Sequence, residues 1–297
     1  MALVDAVQNN AVLFYGVVAF LGLFFGSFLN VVIYRLPIMM HNEWQEAMQE
    51  MTVTEDTKNT KDSEVTANSE PFNLSVPRSR CPKCSNLITW WQNIPVLSYL
   101  LLQGKCYKCK TPISIRYPII ELVTMLLSMV VAWHFGANLM CVVGIVTTWF
   151  LIAMTMIDFD HQLLPDSLTL PLMWIGLLTA LIPVFTDLRS AVIGAAMGYL
   201  ILWLVYQFFK LITGKEGMGY GDFKLLAALG ALLGWQQLPV IILLSSLVGA
   251  VVGLSLIAIT GRDKSIPIPF GPYLAAAGWF AMLWGEKLTD AYLGTFA

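Results

Sequence analysis

Charge is what this sequence has least of. Asp, Glu, Lys and Arg together make up 12% of its 297 residues, about half the roughly 25% of an ordinary soluble domain. Hydrophobic residues make up 57%, and no soluble fold of this size hides that much apolar surface. That excludes a soluble enzyme, a disordered adaptor and a basic nucleic-acid binder; no nucleic acid is expected as a partner. Histidine is scarce too, with three in the chain. None falls in a His-Glu-x-x-His pair and no Gly-x-Ser-x-Gly occurs, which removes the zinc-peptidase and serine-hydrolase signatures. The composition predicts an all-α polytopic membrane protein.

Eight apolar runs are read as crossings: residues 6–34, 119–133, 139–157, 168–185, 191–211, 223–235, 238–259 and 270–288. The first exceeds the roughly 20 residues a spanning helix needs. It is too long for a signal-peptide core and is expected to remain a membrane helix. Arg35-Leu36-Pro37 is expected to end it, and Trp44, Ala47, Met48 and Met51 suggest a separate short amphipathic helix. Residues 52–70 offer almost nothing to bury and read as a mobile polar insertion. The expected division is a first transmembrane helix at 1–35, an inserted domain at 36–117 and a bundle at 118–297. Gly22/Gly26, Gly194/Gly198, Gly230/Gly234 and Gly249/Gly253 are Gly-x-x-x-Gly pairs, read as close helix packing in lipid.

Charge asymmetry sets the expected orientation. Ten of the seventeen Lys and Arg residues fall between Arg35 and Arg116. Counting loops alternately adds Lys210, Lys215, Lys224, Arg262 and Lys264 to that side, leaving Arg189 and Lys287 opposite. The positive-inside rule then puts the inserted domain in the cytoplasm and both termini outside.

Cys81-Pro-Lys-Cys84 and Cys106-Tyr-Lys-Cys109 are two Cys-x-x-Cys knuckles. Four thiolates at this spacing suit a tetrahedral structural zinc site with no open coordination position. Disulfides are the competing explanation, disfavoured in a reducing cytoplasm. Cys141, inside an apolar run, reads as a buried hydrophobe.

Carboxylates at the edge of hydrocarbon are costly and by default functional. Asp158, Asp160 and Asp166 follow one apolar run, and Asp222 closes Gly219-Tyr-Gly-Asp222 before another. Simpler roles compete: Asp166 and Asp222 as helix caps, Asp160 and His161 as solvated loop residues, Glu121 as a partner for Arg116. Gly219 and Gly221 allow a tight turn beside Asp222. A second carboxylate facing it from a neighbouring span would complete an aspartic-protease pair, two carboxyls sharing one proton around a water. Asp158 abuts its apolar run directly, whereas Asp160 lies further into the loop.

Six ordered motifs carry a resemblance: Gly26-Ser-Phe-Leu-Asn-Val-Val-Ile-Tyr-Arg-Leu-Pro37, the paired Cys-x-x-Cys, Arg116-Tyr-Pro-Ile-Ile-Glu121, Ile157-Asp-Phe-Asp-His-Gln-Leu-Leu-Pro-Asp166, Gly219-Tyr-Gly-Asp222 and Pro267-Ile-Pro-Phe-Gly-Pro272. The sequence resembles the type IV prepilin peptidases, bifunctional leader peptidases and N-methyltransferases of bacterial inner membranes. The resemblance implies cleavage of prepilin and pseudopilin leaders after glycine on the cytoplasmic side. It further implies methylation of the new N-terminus from S-adenosylmethionine, and work alongside type IV pilus or type II secretion machinery. The family's catalytic aspartates map onto Asp158 and Asp222, and the cysteine domain resembles the part associated with methyl transfer. No residue is assigned to the methyl donor. A proton-coupled transporter and a zinc-dependent assembly scaffold are the alternatives, although no inverted repeat is visible.

Overall fold

The computed structural model describes residues 10–56, 72–260 and 269–294. Its elements are α1 (Ala11–Asp56), α2 (Leu97–Leu101), α3 (Arg116–Phe135), α4 (Leu139–His161), α5 (Asp166–Thr179), α6 (Leu188–Thr213), α7 (Tyr220–Leu233), α8 (Leu238–Thr260) and α9 (Gly271–Gly294). Short 3-10 turns occupy Trp90–Asn93 and Trp235–Gln237. All but α2 coincide with the eight expected apolar runs. Among the described residues, five stretches are long and apolar enough to cross a membrane: Ala11–Gln49, Arg116–Phe135, Leu139–His161, Leu188–Thr213 and Trp235–Leu256.

The expected break at Arg35 does not occur. Helix α1 runs on through Pro37 and absorbs the segment read as a separate amphipathic helix, together with residues 52–56 of the polar insertion; residues 57–71 lie outside the described part. An interior proline removes one backbone hydrogen bond, but the residues beyond it are rich in Met, Glu, Gln and Ala, all strong helix formers. Arg35 is buried, and its guanidinium donates to the carbonyls of Asn73 at 2.9 Å and Pro77 at 2.6 Å. The run at 168–185 is also shorter than expected. Helix α5 has 14 residues and contains Pro171, which at ~1.5 Å per residue is about 21 Å, less than the ~30 Å of hydrocarbon.

The chain divides into two compact units. One comprises Met1–Gly22 with Thr124–Ala297, the other Leu23–Val123. In the first, α7 is the central element, in contact with α5, α6 and α9. From Asp222 to Leu233 every α7 residue but Lys224 is buried, as expected of a helix that is apolar on all sides. Glycines let its neighbours come this close. A Cβ on Gly198 of α6 would lie 2.6 Å from the Leu226 carbonyl oxygen, and one on Gly176 of α5 would lie 2.7 Å from the Leu232 nitrogen. Gly194 of α6 meets Gly230 of α7 backbone to backbone. Gly194, Gly198 and Gly230 thus serve packing, as their spacing suggested, whereas Gly234 ends α7 at φ +86°.

In the second unit the two cysteine knuckles repeat one geometry. Isolated bridges pair Arg80 with Leu87 and Lys105 with Pro112. Cys81 N–H donates to Asn86 O and Cys106 N–H to Thr111 O, while Ser85 and Lys110 each turn through positive φ.

Candidate functional site

Each unit holds one candidate site. In the first, Asp158 lies in the last turn of α4, and the Gln162 N–H that closes the helix donates to its carbonyl at 2.9 Å. Its side chain points inward and is 5% exposed. One oxygen, Oδ2, accepts the N–H of Gly271, the first residue of α9, at 3.0 Å. That N–H belongs to the first turn of a helix and has no partner within it. A Cβ at position 271 would lie 2.6 Å from the same oxygen, so glycine alone permits the approach.

Asp222 stands in the first turn of α7, behind the N-cap Gly219, and is 7% exposed. Its Oδ1 is buried and has no hydrogen-bond partner among the described residues. Asp158 is near enough for the two carboxylates to act on each other electrostatically. Leu164, in the corner between α4 and α5, joins the pieces: a Cβ on Gly221 would meet its Cβ at 2.6 Å, and one on Gly271 would meet its Cδ1 at 3.2 Å. Gly221 lies inside α7 without positive φ, so what requires glycine there is this packing and not the turn the sequence suggested.

The remaining carboxylates divide differently. Asp160 and His161 are exposed, as expected, but they form the last turn of α4 and not a loop. Asp166 does not cap α5, since Pro165 holds the cap position. Instead Lys224 of α7 grips both its oxygens, at 2.6 and 2.8 Å, an exposed pair worth about 0–1 kcal/mol. Glu121, in the other unit, accepts the Val96 N–H at 2.7 Å.

The turn leading to Asp222 is braced from α6. Lys210 Nζ donates to Glu216 Oε1 at 2.8 Å and to the Tyr206 hydroxyl at 3.3 Å. The Lys210 ammonium holds the Glu216 carboxyl below its ordinary range. Tyr220, between the two glycines, packs its ring against Tyr206 and Phe223, with centroids 5.5 Å apart in both cases. Residue types alone did not reveal Gly271 or Leu164 as parts of this site. Gly271 sat in a motif the sequence displays, but its role depends on a contact with a residue far away in the chain.

In the second unit the sulfurs of Cys81, Cys84, Cys106 and Cys109 lie within 4.8 Å of one another, with Cys81 and Cys109 Sγ 3.7 Å apart. All are free thiols. A tetrahedron with Zn–S bonds of ~2.3 Å has edges of about 3.8 Å, so the cluster could hold a metal ion of that size. The Thr111 hydroxyl, 3.2 Å from Cys109 Sγ, and the Thr111 N–H pull the Cys109 thiol down to about 6, toward the thiolate a metal requires.

Comparison with known proteins is consistent across both units. Residues 20–135 match the Bacterial Peptidase A24 N-terminal domain and residues 145–254 the Type IV leader peptidase family. A relative from Stutzerimonas stutzeri is 52% identical over 297 residues, covering 99% of this chain and 98% of its own. One from Aeromonas hydrophila is 54% identical over 284 residues, covering 96% and 95%. One from Pseudomonas aeruginosa is 50% identical over 294 residues, covering 99% and 98%. All three are named prepilin leader peptidase/N-methyltransferase. No solved structure matches the chain. With a buried carboxylate pair in one unit, a four-cysteine cluster in the other and near-complete alignment to these relatives, the chain belongs to the family of prepilin leader peptidase/N-methyltransferases.

Proposed function

We propose that this chain cleaves the leaders of type IV prepilins and pseudopilins after glycine, by aspartic-protease chemistry, and N-methylates the residue so exposed. The observation that carries the peptidase reading is the burial of Asp158 and Asp222 in one unit, close enough to act on each other. Two neighbouring carboxyls of an aspartic protease can share a proton and hold one water between them.

Their hydrogen bonds divide the work. A backbone N–H can only donate, so Asp158 Oδ2 is committed as an acceptor to Gly271. Asp222 Oδ1 accepts no hydrogen bond from the described residues, and we assign the proton or the attacking water to it. In the reaction one carboxylate takes a proton from water as its oxygen attacks the carbonyl carbon of the leader's last glycine. The other carboxyl gives its proton to the carbonyl oxygen. Collapse of the tetrahedral species breaks the C–N bond, and the leaving amine takes a proton from the pair. Gly219 and Gly221 form the active-site turn that presents Asp222.

Zinc is the metal that a four-thiolate cluster of this size favours, and with all four positions filled by protein its role is structural. S-adenosylmethionine would supply the methyl group when bound, and we place methyl transfer with the cysteine unit. Charge asymmetry supports an inner-membrane protein with the cysteine unit and active site cytoplasmic and both termini periplasmic. The pilus or type II secretion machinery would receive the processed product. Both carboxylates stand at helix ends and not mid-span, which fits a surface-proximal peptidase better than a proton-coupled transporter.

The test is to incubate purified protein with a prepilin, with and without S-adenosylmethionine. A product shortened at the glycine, and heavier by one methyl group only when the donor is present, supports the reading. An unprocessed prepilin would leave a scaffold or transporter as the better account.

A further inference from the structure

The short helix α2 exposes apolar side chains in the cysteine unit, where water would be the expected neighbour. Leu97, Leu100 and Leu101 are 50%, 65% and 68% exposed, and their i, i+3, i+4 spacing puts them on one face. Helix rise gives a ruler for the depth of this face where α1 and α3 cross the membrane. Helix α3 has 20 residues, about 30 Å at ~1.5 Å per residue, so it needs nearly its whole length to cross ~30 Å of hydrocarbon. Glu121 lies about 7 Å along that helix from Arg116. Its carboxylate is buried and accepts the N–H of Val96 at 2.7 Å, and Val96 is the N-cap of α2.

Helix α1 supplies a second ruler. Asn30 Nδ2 donates to the Tyr117 carbonyl at 3.2 Å, and the Ser27 hydroxyl bonds to Glu121, so α1 and α3 run antiparallel here. Ser27 lies about 12 Å along α1 from Arg35 at ~1.5 Å per residue. Both measures put the start of α2 below the level of the flanking cations.

The backbone of this segment is satisfied as hydrocarbon demands. Ser98 N–H donates to Ile94 O at 3.1 Å, Leu100 to Val96 at 3.0 Å, Leu102 to Ser98 at 2.9 Å and Gly104 to Tyr99 at 2.9 Å. Leu97 N–H donates to Pro95 O. Val96 adopts φ +56°, a rare conformation for a β-branched residue. Burying a carboxylate to hold it there is costly and would gain nothing for a loop that merely met water.

We propose that residues 94–102 form a re-entrant wedge in the leaflet beside the cysteine unit, with Leu97, Leu100 and Leu101 against lipid acyl chains and Glu121 holding its tip. The wedge anchors the cysteine unit to the membrane surface, where the N-terminus of a membrane-anchored substrate would emerge. It rests on membrane insertion of α1 and α3, not on the peptidase chemistry.

The experiment uses the full chain in lipid nanodiscs containing a phospholipid with a diazirine in its acyl chain, with adducts mapped by mass spectrometry. Adducts are expected within 97–101 as well as at Phe24 of α1, which is 56% exposed. Tyr107, 59% exposed on a cysteine knuckle, should instead take up hydroxyl radicals from water. Labelling of Phe24 without any adduct in 97–101, and oxidation of 97–101 like that of Tyr107, would overturn the wedge. Prepilin cleavage is measured separately on the same sample, so loss of one reading leaves the other standing.

Discussion

Gly271 gives its backbone N–H to Asp158 across a sequence separation of 113 residues, and the two approach so closely that a methyl group at position 271 would lie 2.6 Å from the carboxylate oxygen. The first free N–H of one helix thereby orients a carboxylate on another. Catalytic positioning here depends on what glycine lacks.

The first prediction follows from that contact. Gly271→Ala must push Asp158 aside, and a displacement of about 1 Å at a reacting group costs roughly 100-fold in rate. Prepilin cleavage should fall by about that factor, while metal content of the cysteine cluster stays as in the wild type. Cleavage within about threefold of wild type would show that Asp158 does not need this orientation.

Much of this architecture was legible before any coordinates, and the exceptions have physical causes. Apolar runs located the eight long helices of the described residues because hydrocarbon length and the absence of charge are local properties. The cysteine knuckles were legible for the same reason, each pair sitting in one turn. Pro37 misled, since a proline break is a tendency that good helix formers downstream and a bound Arg35 outweigh. Asp166 misled because its partner, Lys224, belongs to another helix. The roles of Gly271 and Leu164 were illegible because each arises from a contact between segments distant in the chain.

Metal removal provides the second prediction. Purified protein should carry about one zinc per chain, with Cys81, Cys84, Cys106 and Cys109 protected from alkylation until a chelator is added. Cys81→Ser or Cys106→Ser should lower zinc content and unfold the cysteine unit. Elemental analysis that finds no metal, with all four thiols freely alkylated, would contradict this.

Packing around α7 gives a third. Gly194→Val forces a branched side chain into the backbone of Gly230, and overpacking of that kind costs about 1–3 kcal/mol or more. Gly16→Ala has none of the described residues within 4 Å of the new Cβ and should be neutral or stabilising by up to about 1 kcal/mol. Thermal unfolding in detergent should show a lowered Tm for the first and an unchanged or raised Tm for the second. Equal effects would mean that the α6–α7 approach is not tight.

The exposed pair of Lys224 and Asp166 supplies a fourth. Lys224→Met removes the ion pair and should change stability by less than about 1 kcal/mol, detected as a small Tm shift. A loss of several kcal/mol would mean that the pair is far less solvated than its exposure indicates.

The central claim is that Asp158 and Asp222 form the working pair and Asp160 does not. It is tested most directly by prepilin cleavage with Asp158→Asn, Asp222→Asn and Asp160→Asn, each checked for correct insertion and zinc content. The account predicts that either of the first two changes lowers cleavage by about 1,000-fold or more, since members of one catalytic unit fail together. Asp160→Asn, at an exposed position, should cleave at close to the wild-type rate. Normal cleavage by Asp158→Asn together with loss in Asp160→Asn would contradict the account.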